Sequence, residues 1–140
     1  MTEYNQIIAV IGGTGDLGSA LTMRWSNAGY RIIIGSRDKD KAQAAASKIN
    51  QSLGKDFVRG MTNLEAARSA EIIVLTVPFS NHQAIVDEIS QAAQGKIVVD
   101  TTVPLVPPKV SRVQLPEFGS IAKRTQEKLG NNVKVVSALQ

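Results

Sequence analysis

Residues 7–18, Ile7-Ile8-Ala9-Val10-Ile11-Gly12-Gly13-Thr14-Gly15-Asp16-Leu17-Gly18, contain a five-residue apolar run that leads directly into a glycine-rich turn. Gly13, Gly15 and Gly18 have the spacing G-x-G-x-x-G, which is typical of a dinucleotide-binding loop between a strand and a helix. The first glycine permits a tight turn, the second lets the backbone approach a pyrophosphate, and the third lets the helix pack close to the strand. We therefore expect Gly12 to Gly18 to bind a dinucleotide at the positive end of a helix, the alternative being a strand-turn-helix corner without a ligand.

The rest of the chain repeats this alternation of apolar strands and helices. Further strands are predicted at 31–35, 55–60, 71–77, 96–100 and 133–136, and helices at 16–28, 38–52, 63–70, 80–95 and 120–129. Continuous apolar strands that alternate with helices indicate a parallel sheet covered on both faces. The prediction is an α/β fold, a doubly wound parallel sheet of about six strands that forms a single Rossmann NAD(P)-binding domain over residues 1–140. The proline-rich segment 101–117 is predicted to be an extended loop at the carboxyl edge of the sheet.

The composition is typical of a soluble globular protein, with 43% apolar and 20% charged residues. There is no cysteine, no apolar run of transmembrane length and no secretory signal at the start, so we expect a cytoplasmic protein without a membrane partner. The whole net charge of +4 lies in residues 101–140, which hold six basic and two acidic side chains. Because these basic residues are scattered and Phe118 is their one aromatic neighbour, we expect a solvated surface rather than a nucleic-acid site.

The second strand ends in Gly35-Ser36-Arg37, where NAD-binding domains usually carry an acidic residue for the ribose 2′-hydroxyl. A hydroxyl and a guanidinium instead suit a 2′-phosphate, which predicts NADP rather than NAD. The alternative for Arg37 is a surface ion pair with Asp38 or Asp40. A P-loop is disfavoured because Ser19, not lysine, follows Gly18, and a methyltransferase is disfavoured because the second strand does not end in an acidic residue.

His82 and Asp100 are the two weak catalytic candidates, since each follows or ends a strand near the edge where ligands bind. The alternative for His82 is a histidine near a helix terminus that contacts solvent or a cap. Neither residue has a visible partner in the sequence, and no cluster of His, Asp and Glu suggests a metal, so no metal is expected. Hydride transfer needs no further catalytic group, because the cofactor carries that chemistry.

Several motifs together resemble one known family, the NADPH-dependent F420 reductases (F420H2:NADP oxidoreductases), over nearly the whole chain. The matching segments are Ile8 to Gly18, Gly35-Ser36-Arg37, Val77-Pro78-Phe79 and Val98 to Leu105. The resemblance implies hydride transfer between NADP(H) and the deazaflavin coenzyme F420, with F420 as the second substrate.

The resemblance also implies roles for individual residues. Thr14, Ser36 and Arg37 would hold the 2′-phosphate, the backbone of residues 13–17 the pyrophosphate, and Val77 and Pro78 would lie along the nicotinamide ribose. In this family a smaller C-terminal domain completes the deazaflavin cleft and much of a homodimer contact. We expect that domain to be absent here, since the sequence ends at Gln140.

Two other functions are compatible with the residues. One is a non-catalytic NADP-binding or redox-sensing module that acts through a protein partner. The other keeps the enzyme class and changes the small-molecule redox acceptor to a flavin, a ferric chelate or a small carbonyl compound.

Overall fold

A computed structural model describes residues 5–102, 105–106, 109–113 and 121–138 of the chain, and strands and helices alternate through most of it. The strands are β1 (Ile7–Ile11), β2 (Arg31–Ser36), β3 (Val58–Thr62), β4 (Ile72–Leu75), β5 (Ile97–Asp100), β6 (Leu105–Val106), β7 (Lys109–Val113) and β8 (Lys134–Ser137). The helices are α1 (Asp16–Asn27), α2 (Lys39–Leu53), α3 (Asn63–Ser69), α4 (Phe79–Ile89) and α5 (Ile121–Leu129).

Six of the strands form one parallel sheet in the order β3-β2-β1-β4-β5-β8. β1 lies between β2 and β4, with Ile8 paired to Ile32 on one side and to Ile72 on the other. The strand order therefore reverses beside β1, at the carboxyl end of which ligands bind in open α/β sheets. The predicted doubly wound, six-stranded Rossmann fold is confirmed.

Alternate residues of the central strands serve two hydrophobic cores, one on each face of the sheet. Ile8 and Val10 of β1 pack with α1 and α2, through side chains such as Leu21 and Ala46. Ala9 and Ile11 face the other way and belong to the core that contains α3, α4 and Leu129 of α5. Because both faces are covered, β1 and β4 at the centre of the sheet carry only apolar side chains.

Two predicted elements have a boundary that is wrong by three residues or more. β3 occupies 58–62 instead of 55–60, since Asn50 binds Val58 through both its amide atoms, at 2.8 and 3.1 Å, and fixes where the strand begins. Gly60 lies within β3, and only glycine fits there because an added Cβ would overlap the backbone of Ala42. Helix α4 ends at Ile89 rather than near Gly95, and residues 90–95 form turns that end in the left-handed conformation of Gly95, at φ +79°.

The proline-rich segment is not simply an extended loop. β6 and β7 pair in antiparallel fashion as a separate two-stranded sheet, with Pro107 and Pro108 between them in the sequence. Pro104, Pro107, Pro108 and Pro116 lie outside the described residues. Within the part of the chain that the structure describes, no helix combines the length and the apolar character needed to cross a membrane.

Candidate nucleotide-binding site

A cleft of about 470 Å³ opens at the carboxyl edge of the sheet, beside the switch in strand order. It is built from the ends of β1, β2 and β4, from the first turn of α2 and from one face of α4. Its lining is Gly12, Thr14, Gly15, Ser36, Arg37, Asp38, Lys41, Asn63, Thr76, Val77, Pro78, Ser80, Asn81, Ala84, Ile85 and Glu88. Seven of the eleven predicted cofactor residues are in this set, and the four that are not are Gly13, Asp16, Leu17 and Gly18.

The tight turn after β1 is made by Gly12, which has φ +76°. The sequence prediction gave that role to Gly13 and is wrong, since positive φ belongs to the residue before it. Gly13 is instead restricted by packing, because an added Cβ would lie 2.8 Å from the carbonyl oxygen of Val10. The N–H groups of both glycines donate to the carbonyl of Gly35, at 3.0 and 3.1 Å, and this ties the turn to the end of β2.

Gly15 and Gly18 differ in what surrounds them. An added Cβ at Gly15 would meet only the carbonyl oxygen of Gly12, at an ordinary 3.5 Å, so the protein itself leaves this position open. A Cβ at Gly18 would lie 2.6 Å from Gly13 Cα and 2.9 Å from Thr76 Oγ1. Gly18 therefore serves the close contact between α1 and the strands, the packing role that the motif predicts.

The first turn of α1 presents uncapped backbone N–H groups. Gly15 is the residue before the helix and no side chain caps it. The first intrahelical bond runs from Ser19 N–H to Gly15 O, at 2.9 Å, which leaves the earlier N–H groups directed past the helix end. Asp16 begins the helix as an exposed first-turn carboxylate, a position that the helix dipole favours. This geometry suits an anion such as a pyrophosphate.

A cationic corner lies where β2 ends. Ser36 is buried and its Oγ accepts from Asp38 N–H at 3.1 Å, while Arg37 is exposed and lines the cleft. The carboxylate of Asp38 caps α2 by accepting from the N–H groups of Asp40 and Lys41, at 3.0 and 3.3 Å. The alternative of an ion pair between Arg37 and Asp38 or Asp40 is wrong, because none is present among the described residues.

Lys41 is a site residue that the sequence analysis missed. It lies four residues after Arg37, on the first turn of α2, and lines the same cleft. Its spacing after Arg37 was visible in the sequence as one helical turn. Two cations and Ser36 thus line the same cleft at the end of the second strand, where Rossmann domains bind the adenosine ribose of a dinucleotide.

The opposite wall comes from the end of β4 and from α4. Thr76 is fixed to β1, since both its N–H and its hydroxyl donate to Ile11 O, at 3.0 and 2.7 Å. Val77 is buried, whereas Pro78 is exposed and precedes α4. The α4 wall was also missed, although its members are spaced as one helix face: Asn81, Ala84, Ile85 and Glu88.

His82 and Asp100 form a buried pair away from the cleft lining. His82 Nε2 lies 2.7 Å from Asp100 Oδ2, and each residue is 1% exposed. The Thr125 hydroxyl of α5 has two acceptors at 2.9 Å, Asp100 Oδ2 and the carbonyl of Ile121, and Thr102 N–H donates to Asp100 Oδ1 at 3.0 Å. The alternative of a histidine in contact with solvent is therefore wrong, because His82 is buried and paired with Asp100.

The Asp100 carboxyl is held in its ionised form. Burial raises the pKa of Asp100, but the hydrogen bond and charge of His82, together with the bonds from Thr102, lower it by more. The pKa of Asp100 therefore lies below its ordinary value. Neither His82 nor Asp100 lines the cleft. Their hydrogen bonds, together with that of Thr125, instead join α4, β5 and α5. Within the ranges that the structure describes, no group of three or more His, Cys, Asp or Glu side chains is placed to hold a metal ion.

Comparison with known proteins identifies relatives of the same fold. A family model described as NADP oxidoreductase, coenzyme F420-dependent, matches residues 7–104. An F420-dependent NADP reductase from Methanothermobacter marburgensis is 46% identical over 100 residues, which cover 70% of this chain and 45% of the relative. One from Methanocaldococcus jannaschii is 36% identical over 140 residues, covering 95% of this chain and 62% of the relative.

A solved structure agrees with these sequences. The crystal structure of an Arthrobacter sp. FB24 protein, described as a candidate F420-dependent NADP-reductase, superposes with a TM-score of 0.74 and 26% identity, covering 93% of this chain and 60% of that one. The chain spans about half the length of the F420-dependent NADP reductases it matches, between 43% and 62%. With 98 of its 140 residues inside the family model, counted from 7 to 104, the chain belongs to the family of F420-dependent NADP oxidoreductases.

Proposed function

We propose that this chain binds NADP(H) in the cleft and provides the nucleotide-binding part of an oxidoreductase that transfers a hydride between NADP(H) and coenzyme F420. The observation that carries the proposal is the corner formed by Ser36, Arg37 and Lys41, where cations meet and Asp38 is engaged in capping a helix. A carboxylate free at this position would repel a 2′-phosphate, whereas a guanidinium donates charge-assisted hydrogen bonds to it.

The cleft residues fit such a nucleotide along its length. The N–H groups at the start of α1 would bind the pyrophosphate, with Gly15 open to its approach. Ser36, Arg37, Lys41 and Thr14 would bind the 2′-phosphate, and Val77 with Pro78 would border the nicotinamide ribose. The bound nucleotide supplies the hydride, so the protein needs to orient it and exclude water, with no acid or base from His82 or Asp100.

The proposal of F420 as the hydride acceptor rests on the family alone. The reductases from the two methanogens are named for F420, and the sequence motifs shared with this chain lie in its nucleotide-binding part. The homodimer that the family resemblance implies and the cytoplasmic location that the sequence analysis expects stay predictions. Sedimentation of the purified chain would decide the first.

Two titrations test the proposal. NADPH and NADH are titrated into the purified chain, and NADPH is expected to bind at least tenfold more tightly, since a charge-assisted contact to the 2′-phosphate contributes roughly 1.5–3 kcal/mol. Oxidised F420 is then added with NADPH and its absorbance followed. Equal affinity for the two nucleotides would contradict NADP selectivity. Binding without turnover would favour a non-catalytic module, and turnover with a flavin instead of F420 would change the acceptor.

A further inference from the structure

The side chain of Asn63 is a polar group in the cleft whose hydrogen-bonding capacity is unused. It lines the cleft together with Ser36, Arg37 and Lys41, yet the residue is only 2% exposed. Its Oδ1 atom is buried without a hydrogen-bond partner among the described residues, and its amide nitrogen donates to none of them either. Most buried polar side chains are paired, so an unpaired carboxamide beside a cleft indicates that its partner is a ligand.

The position of Asn63 is fixed by the sheet. In the parallel register of β2 and β3, Ser36 is paired with Thr62, so Asn63 follows directly beside Arg37 at the carboxyl edge. Gly35 makes room for it, because an added Cβ there would lie 2.9 Å from Asn63 Oδ1.

Asn63 is not needed to cap its own helix. It is the first residue of α3, and Thr62 already caps that helix by accepting from Glu65 N–H at 3.2 Å. The Asn63 amide therefore has no structural task that accounts for a polar side chain at a buried position.

We propose that Asn63 hydrogen-bonds the adenosine half of NADP(H), an inference that rests on the proposed function. The groups of the nucleotide nearest to its 2′-phosphate are the ribose that carries this phosphate and the attached adenine. A carboxamide offers both donors and an acceptor, which matches a ribose hydroxyl or the polar edge of adenine. Asn63 is in this way a binding residue for the sugar and base, beside the cations that bind the phosphate.

The test uses Asn63→Ala and Asn63→Leu, with NADPH and 2′,5′-ADP as probes. The second probe contains only the adenosine half with its 2′-phosphate. Both variants are expected to bind both probes about five- to tenfold more weakly, the effect of one lost hydrogen bond. Unfolding by urea without nucleotide is expected to be unchanged or shifted to higher urea, because no hydrogen bond of the free protein is lost. Asn27→Ala, at the exposed end of α1, is the matched control and should bind as wild type does.

The outcomes separate this inference from the function it rests on. If wild type binds neither probe, the proposed function fails and the inference with it. If wild type binds both and the Asn63 variants bind 2′,5′-ADP equally well, the inference alone is overturned, whatever happens with NADPH. Lower stability of the free variants with unchanged affinity would assign Asn63 to the fold and would equally overturn it.

Discussion

His82 of α4 and Asp100 of β5 stand 2.7 Å apart, from Nε2 to Oδ2, with both side chains withdrawn from solvent. The pair joins α4, which lines the cleft, to β5, whose last residue does not line it. A buried pair of this kind contributes little relative to apolar residues, but loss of one partner leaves the other charge or dipole unpaired.

We therefore expect His82→Ala to lower the free energy of unfolding by about 3–5 kcal/mol, because the Asp100 carboxylate loses its main partner in a buried site. Urea denaturation at neutral pH measures the effect. The exposed Lys128–Asp87 pair, at 3.3 Å, provides the control, and Lys128→Ala should cost about 1 kcal/mol or less. A His82→Ala cost as small as that of the control would show that the buried pair is dispensable.

The same pair predicts a pH dependence of stability. Since the pKa of Asp100 is lower in the folded than in the unfolded protein, the unfolded state binds more protons at acid pH. The stabilisation is complete above the unfolded pKa of about 3.9 and is lost as the pH falls through the lower folded value. As the pH is lowered from 7 to 2, the urea midpoint of Asp100→Asn should fall less steeply than that of wild type. Parallel profiles for the two proteins would contradict the prediction.

Removal of either cation of the corner formed by Ser36, Arg37 and Lys41 should weaken the binding of NADPH and not that of NADH. Arg37→Ala or Lys41→Ala is expected to weaken NADPH binding roughly tenfold to a hundredfold, the effect of a charged hydrogen bond lost from the phosphate. NADH affinity should change little because it lacks that phosphate. Lys48→Ala, on the exposed side of the same helix, controls for the general loss of positive charge. An equal effect of all three substitutions on NADPH would reduce the corner to long-range electrostatics.

Alanine substitutions at Gly18 and Gly15 are expected to affect different properties, the stability of the fold and the binding of NADPH. Gly18→Ala should destabilise the fold by about 1–3 kcal/mol, because its Cβ would overlap Gly13 Cα and backbone would have to move. Gly15→Ala should leave the free energy of unfolding within about 0.5 kcal/mol of wild type, since φ is −76° and nothing obstructs the methyl group. It should nevertheless weaken NADPH binding, because the methyl group would occupy space needed by the pyrophosphate. Thermal unfolding and NADPH titration of both variants distinguish the two roles.

The central sheet could be predicted from sequence because its strands are continuously apolar and its connections are short. β1, β2, β4 and β5 each lie within a predicted strand or exceed it by one residue, as in the end of β2 at Ser36. The strand pair β6–β7 could not be predicted, since prolines flank two short segments and local propensity gives no sign of their pairing. The early end of α4 at Ile89 was hidden for a similar reason, because residues 90–94 contain no helix breaker.

The site was predictable only where neighbours in space are neighbours in sequence. Gly12 to Gly15 and Ser36-Arg37 are local motifs, and the structure brings them into one cleft. His82 and Asp100 are eighteen residues apart and meet only when α4 crosses β5. Asn63 belongs to a third strand-helix connection, and its place beside Arg37 follows from sheet register, which no single segment contains.

One carbonyl group, that of Gly35, receives N–H groups from both Gly12 and Gly13 and is followed directly by Ser36 and Arg37. The loop at the start of α1 and the corner at the end of β2 are consequently linked through one backbone carbonyl. This link sets the separation between the N–H groups at the start of α1 and the cations at the end of β2. In the proposed function, NADP(H) would then be recognised by the distance between its pyrophosphate and its 2′-phosphate as much as by the charge of either.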